Sequence, residues 1–264
     1  MTKNRPSTHF LKIILFISIW LLFCFPQIAL LQTALLQTTS VEYICAGTDY
    51  ETPVYIIKTD TIEPVIMVVA GTHGNEKAGI IASEYLKDKQ DIERGTLIII
   101  PKANILACAK DVRSFPADIN LNRVYPGNSR GNSVEKIAYE IFNLMKEYNI
   151  NLLVDLHESI EFYRMNPENY GQTVVIDSDD DSLIELSSFL VEKMNQGIIE
   201  DEHKYQVLVD PVKGSTAYCA HDQLGIPALT FETCRKLPLS FRTEEQIKFV
   251  KIILSKWNMI AIQR

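Results

Sequence analysis

The sequence predicts an α/β fold in which a single domain holds a mixed, mostly parallel β-sheet with helices on both faces. From Val54 onward, short runs rich in β-branched residues alternate with longer segments of helical period. The runs Val65–Ala70 and Leu97–Ile100 are apolar throughout, as expected of central strands covered on both sides. With 264 residues, of which 47% are hydrophobic, the chain is long enough for one sizeable core.

Strands are predicted at the short apolar runs, and helices where apolar residues recur every three or four positions, as Ile247, Val250 and Leu254 do. Residues 102–133 are the long stretch without periodicity, and a loop of that length is usually functional. The predicted strands are Val65–Ala70, Thr96–Pro101, Asn151–Leu156, Thr173–Asp177 and Ala228–Glu232. The predicted helices are Glu76–Lys89, Val134–Glu147, Ser182–Met194 and Thr243–Ile260.

The amino terminus has the pattern of an export signal. Residues 1–40 contain three basic residues and no acidic one, and the apolar run Ile13–Phe25 resumes at Ile28–Leu31. The first run suits the core of a cleaved signal peptide, whereas the stretch from Ile13 to Leu31 is about long enough to span a bilayer. We favour an uncleaved membrane anchor because no clear small-residue cleavage site follows. With either segment we expect the body, residues 41–264, outside the cytoplasm, anchored to the membrane or secreted.

The charge distribution argues against one class of partner. Beyond the first 40 residues, the chain carries 23 basic and 33 acidic residues, a net charge of −10. A body this acidic repels phosphate backbones, so we expect no nucleic-acid partner.

The cysteines leave the question of disulfides open. Four of them, Cys45, Cys108, Cys219 and Cys234, lie outside the apolar segment, and an oxidising compartment permits a bridge without requiring one. The sequence has no C-x-x-C pair, which argues against a zinc site built from thiolates.

A histidine and a glutamate follow the first predicted strand. His73 and Glu76 lie three residues apart in the turn that leads into a helix, so both side chains can reach one metal ion. The later apolar run Asn151–Leu156 is followed directly by His157. A local pair joined to a distant third ligand is the pattern of a catalytic His₂Glu zinc site with a fourth position open for water. We therefore expect one zinc ion per chain.

Glu232 ends another predicted strand, at the same carboxyl edge of the sheet as both histidines. Ligands collect at that edge in open α/β sheets. A glutamate there can take a proton from an activated water and pass it to a leaving amine, as a general base and then a general acid. Taken alone, the motif also fits an acid that is simply solvated at the end of a strand.

Four motifs, in this order along the chain, resemble a known family. They are similar to the zinc carboxypeptidase superfamily, in the branch of succinylglutamate desuccinylase and aspartoacylase, and the resemblance extends from about Val65 to Glu232. The motifs are His73-x-x-Glu76, Asn122-Arg123, Asp155-Leu156-His157 and the segment Gly225–Glu232.

The resemblance implies a zinc carboxypeptidase-like fold and a role for each matching residue. Glu232 would be the catalytic acid and base. Asn122 and Arg123 would hold a carboxylate of the substrate, and Arg113, upstream in the same loop, would polarise the scissile carbonyl. The zinc ligands would be His73, Glu76 and His157.

These roles agree with the chemistry of the side chains. Arg123 presents a planar, permanently charged fork that can bind a carboxylate through two parallel hydrogen bonds, and Asn122 adds a neutral donor. Arg113 can stabilise the oxyanion that forms when water attacks, an effect of about 3–4 kcal/mol for one donor of this kind. A solvated loop arginine is the simpler alternative for Arg113.

The sequence departs from the family at one position. The family commonly has an aspartate two residues before the Asn-Arg pair, where this chain has Asn120. An acid there would accept a hydrogen bond from a ligand histidine, and an amide oxygen does so more weakly. Asp118 is an alternative partner. Asp155 shares a strand face with His157 and is a candidate for the same role.

Two functional hypotheses follow. The first is a zinc-dependent hydrolase that cleaves an amide bond near a free carboxylate, as a carboxypeptidase or an N-acyl amino acid deacylase, with a small peptide or an N-acyl amino acid as substrate. Export slightly favours peptides. The second is a non-catalytic module that binds carboxylates or peptides and retains the fold. The presence of all the ligands together with Glu232 and Arg123 favours the enzyme.

Overall fold

A single eight-stranded sheet runs through the body of the chain in a computed structural model, which describes residues 37–210 and 212–261. The strands are β1 (Thr38–Ile44), β2 (Thr52–Lys58), β3 (Val65–Ala70), β4 (Thr96–Ile100), β5 (Leu152–Ser159), β6 (Thr173–Ile176), β7 (Gln206–Val209) and β8 (Ala228–Cys234). Their order across the sheet is β1-β2-β4-β3-β5-β8-β6-β7.

The sheet is mixed, with four parallel pairings among the seven. The central strands β4, β3, β5 and β8 pair in parallel, as do β6 and β7. The pairs β1–β2, β2–β4 and β6–β8 are antiparallel. This arrangement confirms the predicted mixed, mostly parallel sheet.

Among the described residues there are six α-helices, and five of them, all but the short α2, pack on the two faces of the sheet. Alternate residues of β3 point to opposite sides: Ile66 and Val68 pack in the core beneath α1, α4 and α6, whereas Met67 and Val69 pack in the core beneath α3 and α5. The helices are α1 (Lys77–Lys89), α2 (Ile105–Lys110), α3 (Ser133–Glu147), α4 (Asp181–Met194), α5 (Thr216–Leu224) and α6 (Leu239–Lys256).

Three strands are absent from the sequence-based prediction. Strands β1 and β7 lie at the two edges of the sheet and β2 lies beside β1. Six of the seven residues of β1 are exposed, and its sequence has no apolar run. Strand β7 is only four residues long, and none of its residues is fully buried, so its apolar run is shorter than those of the central strands.

The segment 102–133 contains more regular structure than predicted. The short helix α2 lies within it, and Leu121–Arg123 forms one turn of 3₁₀-helix. Helix α6 begins at Leu239, four residues before the predicted start, and ends at Lys256 rather than Ile260. Its first turn is exposed, so this turn has no apolar periodicity.

The predicted export segment lies outside the described residues. Strand β1 begins at Thr38, so the sheet starts three residues before the predicted body, 41–264. Among the residues that the structure describes, none of the helices combines the length and the apolar character needed to cross a membrane. The four cysteines of the body, listed above, are all free.

Candidate active site

Three neighbouring parallel strands bring the predicted ligands to one edge of the sheet. Strand β3 ends at Ala70, which pairs with Leu156 of β5, and the next residue of β5, His157, pairs with Glu232 of β8. The turn after β3 then places His73 close to them. Gly74 is needed in this turn because a Cβ atom there would lie 2.1 Å from the backbone of Ala107 in α2.

The side chains of His73, Glu76 and His157 converge in the protein interior, as predicted. The Glu76 carboxylate lies between the histidines, with Oε1 2.8 Å from Nδ1 of His73 and Oε2 2.9 Å from Nδ1 of His157. One donor atom from each of the three residues falls within 4.8 Å of the others, and all three residues are buried. Two imidazole nitrogens and a carboxylate are a donor set that suits zinc.

In each histidine, Nε2, the ring nitrogen that does not face Glu76, lies close to a side-chain oxygen. Nε2 of His73 lies 3.1 Å from Oδ1 of Asn120, in hydrogen-bonding geometry. Nε2 of His157 lies 3.1 Å from Oδ2 of Asp155, close enough for an ion pair, although the angle is poor for a hydrogen bond. Partners on the far nitrogens orient the rings and leave both Nδ1 atoms for a metal. Asn120 therefore occupies the position where the family commonly has an acid.

Charge coupling shifts the pKa values of the three predicted ligands. Burial raises the pKa of Glu76, but the two histidines outweigh it and hold that pKa well below its usual range. Burial lowers the pKa of His73. Burial also lowers the pKa of His157, but the carboxylates of Asp155 and Glu76 raise it well above the usual value. Glu76 is thus held as an anion, the form that binds a metal.

Two further donors hold the Glu76 carboxylate. The backbone N–H of Glu158 donates to Oε2 over 3.0 Å. Nη1 of the half-exposed Arg113 donates to Oε1 over 2.9 Å. Arg113 therefore lies at the candidate site, with its guanidinium on the carboxylate of a candidate ligand.

Glu232 lies beside His157 with one oxygen free. Its Oε2 atom is buried and has no hydrogen-bond partner. Burial, opposed by the charge of His157 and reinforced by Glu76, raises the pKa of Glu232 to about 8. A carboxyl group with a pKa near neutrality is suited to take up and release a proton.

Asn122 and Arg123, the candidate carboxylate clamp, line the same pocket as Glu232 and both histidines. Oδ1 of Asn122 accepts from the backbone N–H of Thr216 at the start of α5 over 3.1 Å, so the amide nitrogen is the part left to face a ligand. Nη1 of Arg123 donates to the backbone oxygen of Asn122 over 2.6 Å. Within residues 37–210 and 212–261, Arg123 forms no ion pair with a carboxylate.

The pocket contains residues that sequence reasoning did not select. Tyr170, Asp177 and Thr230 line it together with two valines, Val175 and Val212. Asp177 follows β6 directly, so its position at a strand end was the available signal. Thr230 lies within β8, two residues before Glu232 and on the same face of the strand. The pairing of β6 with β8 could not be inferred locally, and this pairing brings Asp177 into the pocket.

Comparison with known proteins identifies the family. A family-wide sequence description, the succinylglutamate desuccinylase/aspartoacylase catalytic domain, matches residues 63–255, well over half of the chain. The chain belongs to the succinylglutamate desuccinylase/aspartoacylase family. The match includes every predicted site residue from His73 to Glu232.

One named relative shares part of this family domain. The N-alpha-acetyl-L-2,4-diaminobutyric acid deacetylase of Halomonas elongata is 35% identical over 108 residues, which are 40% of this chain and 31% of that protein. The chain thus matches about a third of the length of this relative.

Two solved structures share the fold of this family member. The D,L-carboxypeptidase Csd4 of Helicobacter pylori, in its mDAP-bound form, superposes with a TM-score of 0.67 at 18% identity, covering 75% of this chain and 51% of that one. The product-bound ectoine utilization protein EutE of Ruegeria pomeroyi has a TM-score of 0.67 at 20% identity, covering 86% of this chain and 69% of that one. At these identities the likeness establishes the fold.

Proposed function

We propose that this chain is an exported, zinc-dependent hydrolase that cleaves an amide bond next to a free carboxylate. The proposal rests on the side chains that line one pocket. They are the two candidate ligand histidines, Glu232 with its unpartnered buried oxygen, and Arg123, which pairs with no carboxylate of the described residues.

The residues present fit a zinc ion. His73, Glu76 and His157 supply three nitrogen and oxygen donors from one side, and each histidine has an oxygen at its far nitrogen. When bound there, zinc would supply Lewis-acid activation of a water molecule and of the substrate carbonyl.

Glu232 provides the proton transfers. Its unpartnered Oε2 accepts the proton of the attacking water and then delivers that proton to the nitrogen of the departing amine. Burial raises the pKa of Glu232 to about 8 in the metal-free chain, and a zinc ion beside it would lower that pKa and favour the carboxylate that accepts the proton.

Arg123 and Asn122 position the substrate. The guanidinium of Arg123 and the amide nitrogen of Asn122 bind the carboxylate next to the scissile bond, which orients the carbonyl for attack. Arg113 lines the same pocket and stabilises the negative charge that develops on the carbonyl oxygen.

Two substrate classes meet these requirements. An N-acyl amino acid and the last residue of a peptide both present an amide beside a carboxylate. The relatives support both classes, since one is named a deacetylase of an acetylated amino acid and another a D,L-carboxypeptidase. Export favours peptide fragments, which an enzyme outside the cytoplasm meets more readily.

Residues 1–40 support export through their basic flank and apolar stretch. If this segment is an uncleaved anchor, the full-length protein stays in the membrane fraction after an alkaline wash and external protease digests its body. Recovery of a soluble chain that starts beyond residue 25 would instead show a cleaved signal.

The activity is tested on the purified, zinc-loaded full chain. We expect free amine to be released from members of a panel of N-acyl amino acids and short peptides. The matched variant Glu232→Gln should fold and retain zinc, but its kcat should fall by about 10²–10⁴-fold because an amide cannot accept the proton. Wild-type turnover by Glu232→Gln would refute the mechanism. Carboxylate binding without hydrolysis of any compound would favour the binding module.

A further inference from the structure

The candidate pocket extends along the face of the sheet from Glu232 to Asp177. In the antiparallel pair β6–β8, Val175 pairs with Thr230. Glu232 lies two residues beyond Thr230, and Asp177 lies two residues beyond Val175 in the opposite direction. Side chains two apart share a face, so these four line one wall, about 13 Å long at roughly 3.3 Å per residue.

The pocket carries groups of opposite charge. Arg123 lines it, and so do Glu232 and Asp177. Asp210 lies next to Asp177, because Ile176 and Val209 pair in register at the ends of β6 and β7. Oδ2 of Asp210 accepts a hydrogen bond from the Tyr170 hydroxyl over 2.6 Å.

Asp177 has no cation of its own. Its one polar contact is a long one of 3.4 Å from the backbone N–H of Val212. In the described part of the chain, no lysine or arginine forms an ion pair with Asp177 or Asp210. Burial, with the nearby carboxylates of Asp210 and Asp155, raises the pKa of Asp177 to about 7. A cation bound beside it would relieve this destabilisation of the carboxylate.

Part of the pocket wall is apolar. Val175 and Val212 line the pocket together with Asp177, and side chains of this kind accommodate methylene groups. The pocket therefore combines a cation, an anion and apolar side chains.

We infer that Asp177 is a specificity-determining residue that receives an ammonium group at the end of the substrate's side chain, while Arg123 receives the carboxylate. The substrate class is then the N-acyl or peptidyl derivatives of diamino acids. This inference rests on the proposed amide hydrolysis and adds the identity of the side chain to it.

The test compares substrates that differ only in the terminal charge. For the zinc-loaded full chain at pH 8, kcat/KM for N-acetyl-L-ornithine should exceed that for N-acetyl-L-norleucine, its alkyl isostere, by at least about tenfold. The same comparison for substrate pairs whose side chains are one methylene shorter or longer identifies the best side-chain length. N-acetyl-L-glutamate, with a negative end, should be the poorest of the set.

Asp177→Asn should reduce the ornithine-to-norleucine ratio of kcat/KM to below about threefold. Asp179→Asn is the matched control, because Asp179 is exposed two residues away and does not line the pocket. It should keep the wild-type ratio.

The outcomes separate this inference from the proposed function. Hydrolysis without a preference for ornithine, or a preference that survives in Asp177→Asn, overturns the role of Asp177 and leaves the hydrolase intact. If nothing is hydrolysed, calorimetry with the same uncleaved compounds gives the ratio of binding constants. The inference then requires tighter binding of the ornithine compound, lost in Asp177→Asn, and equal binding overturns it.

Discussion

Glu158 and Arg242 form a buried ion pair on the face of β5 opposite the candidate metal ligands. Glu158 follows His157 directly, and successive strand residues point to opposite faces. Its carboxylate also accepts from the backbone N–H of Ala78 over 3.0 Å, at the first turn of α1. The backbone N–H of Glu158 donates a hydrogen bond to the Glu76 carboxylate. This pair therefore joins α6 and α1 to the strand that carries His157.

The first prediction concerns the stability that this ion pair provides. Glu158→Gln leaves the Arg242 charge buried without a counterion, so the free energy of unfolding should fall by about 3 kcal/mol or more. Chemical denaturation measures it. The control is Asp201→Asn, which breaks the exposed pair with Lys204 and should lower the free energy of unfolding far less. Equal losses in the two variants would contradict the importance of the buried pair.

The second prediction concerns the metal. His157→Ala removes one of three donors, so the purified variant should lose the zinc that the wild type holds at about one ion per chain. Elemental analysis of dialysed protein decides this. Asn120→Ala keeps all three donors and removes the partner of His73 Nε2, together with the cap on the backbone N–H of Asn122, so affinity should fall more mildly, by about 10–100-fold. Full zinc retention by His157→Ala would remove this residue from the ligand set.

The third prediction concerns the carboxylate clamp. Arg123→Ala should raise KM and also lower kcat, because the clamp both binds the substrate and orients its amide. Arg123→Lys keeps the charge but not the planar fork, so it should recover only part of the loss. Steady-state kinetics on the best substrate of the panel tests both variants. An unchanged KM in Arg123→Ala would place the carboxylate elsewhere.

The fourth prediction concerns the pH dependence of stability in the metal-free, ligand-free protein. Asp177 has a pKa of about 7 in the folded chain and its ordinary value of 3.8 when unfolded. Between these values the folded chain binds more protons than the unfolded chain, so this residue makes stability fall as pH rises from about 4 to 7.

Asp177→Asn removes this titration. Relative to wild type, its free energy of unfolding should increase by more than about 1 kcal/mol between pH 4.5 and pH 8. Denaturation midpoints across this pH range provide the measurement, and Asp179→Asn should show no such trend. A difference that is flat with pH would mean that the carboxylate at position 177 is well solvated or already paired.

Local patterns were sufficient for the centre of the fold and the candidate ligands. The strands around Met67 and Ile98 are buried on both faces, so their apolar runs are continuous and visible in the sequence. His73, His157 and Glu232 follow such runs at the carboxyl ends of parallel strands, and parallel strands bring these ends to one edge. The edge strands β1 and β7 lacked this signal because six of the seven residues of β1 are exposed and β7 is only four residues long, with no fully buried residue.

The strands that are buried on both faces, and the residues at their ends, could thus be predicted from the sequence alone, because burial on both faces requires a continuous apolar run along the chain. Tertiary structure alone decided which oxygen meets each histidine, and it selected Asn120 rather than Asp118 for His73. The antiparallel pairing of β6 with β8 also brings Asp177 into the pocket. This pairing depends on contacts between residues more than fifty positions apart, so it cannot be predicted from a local sequence pattern.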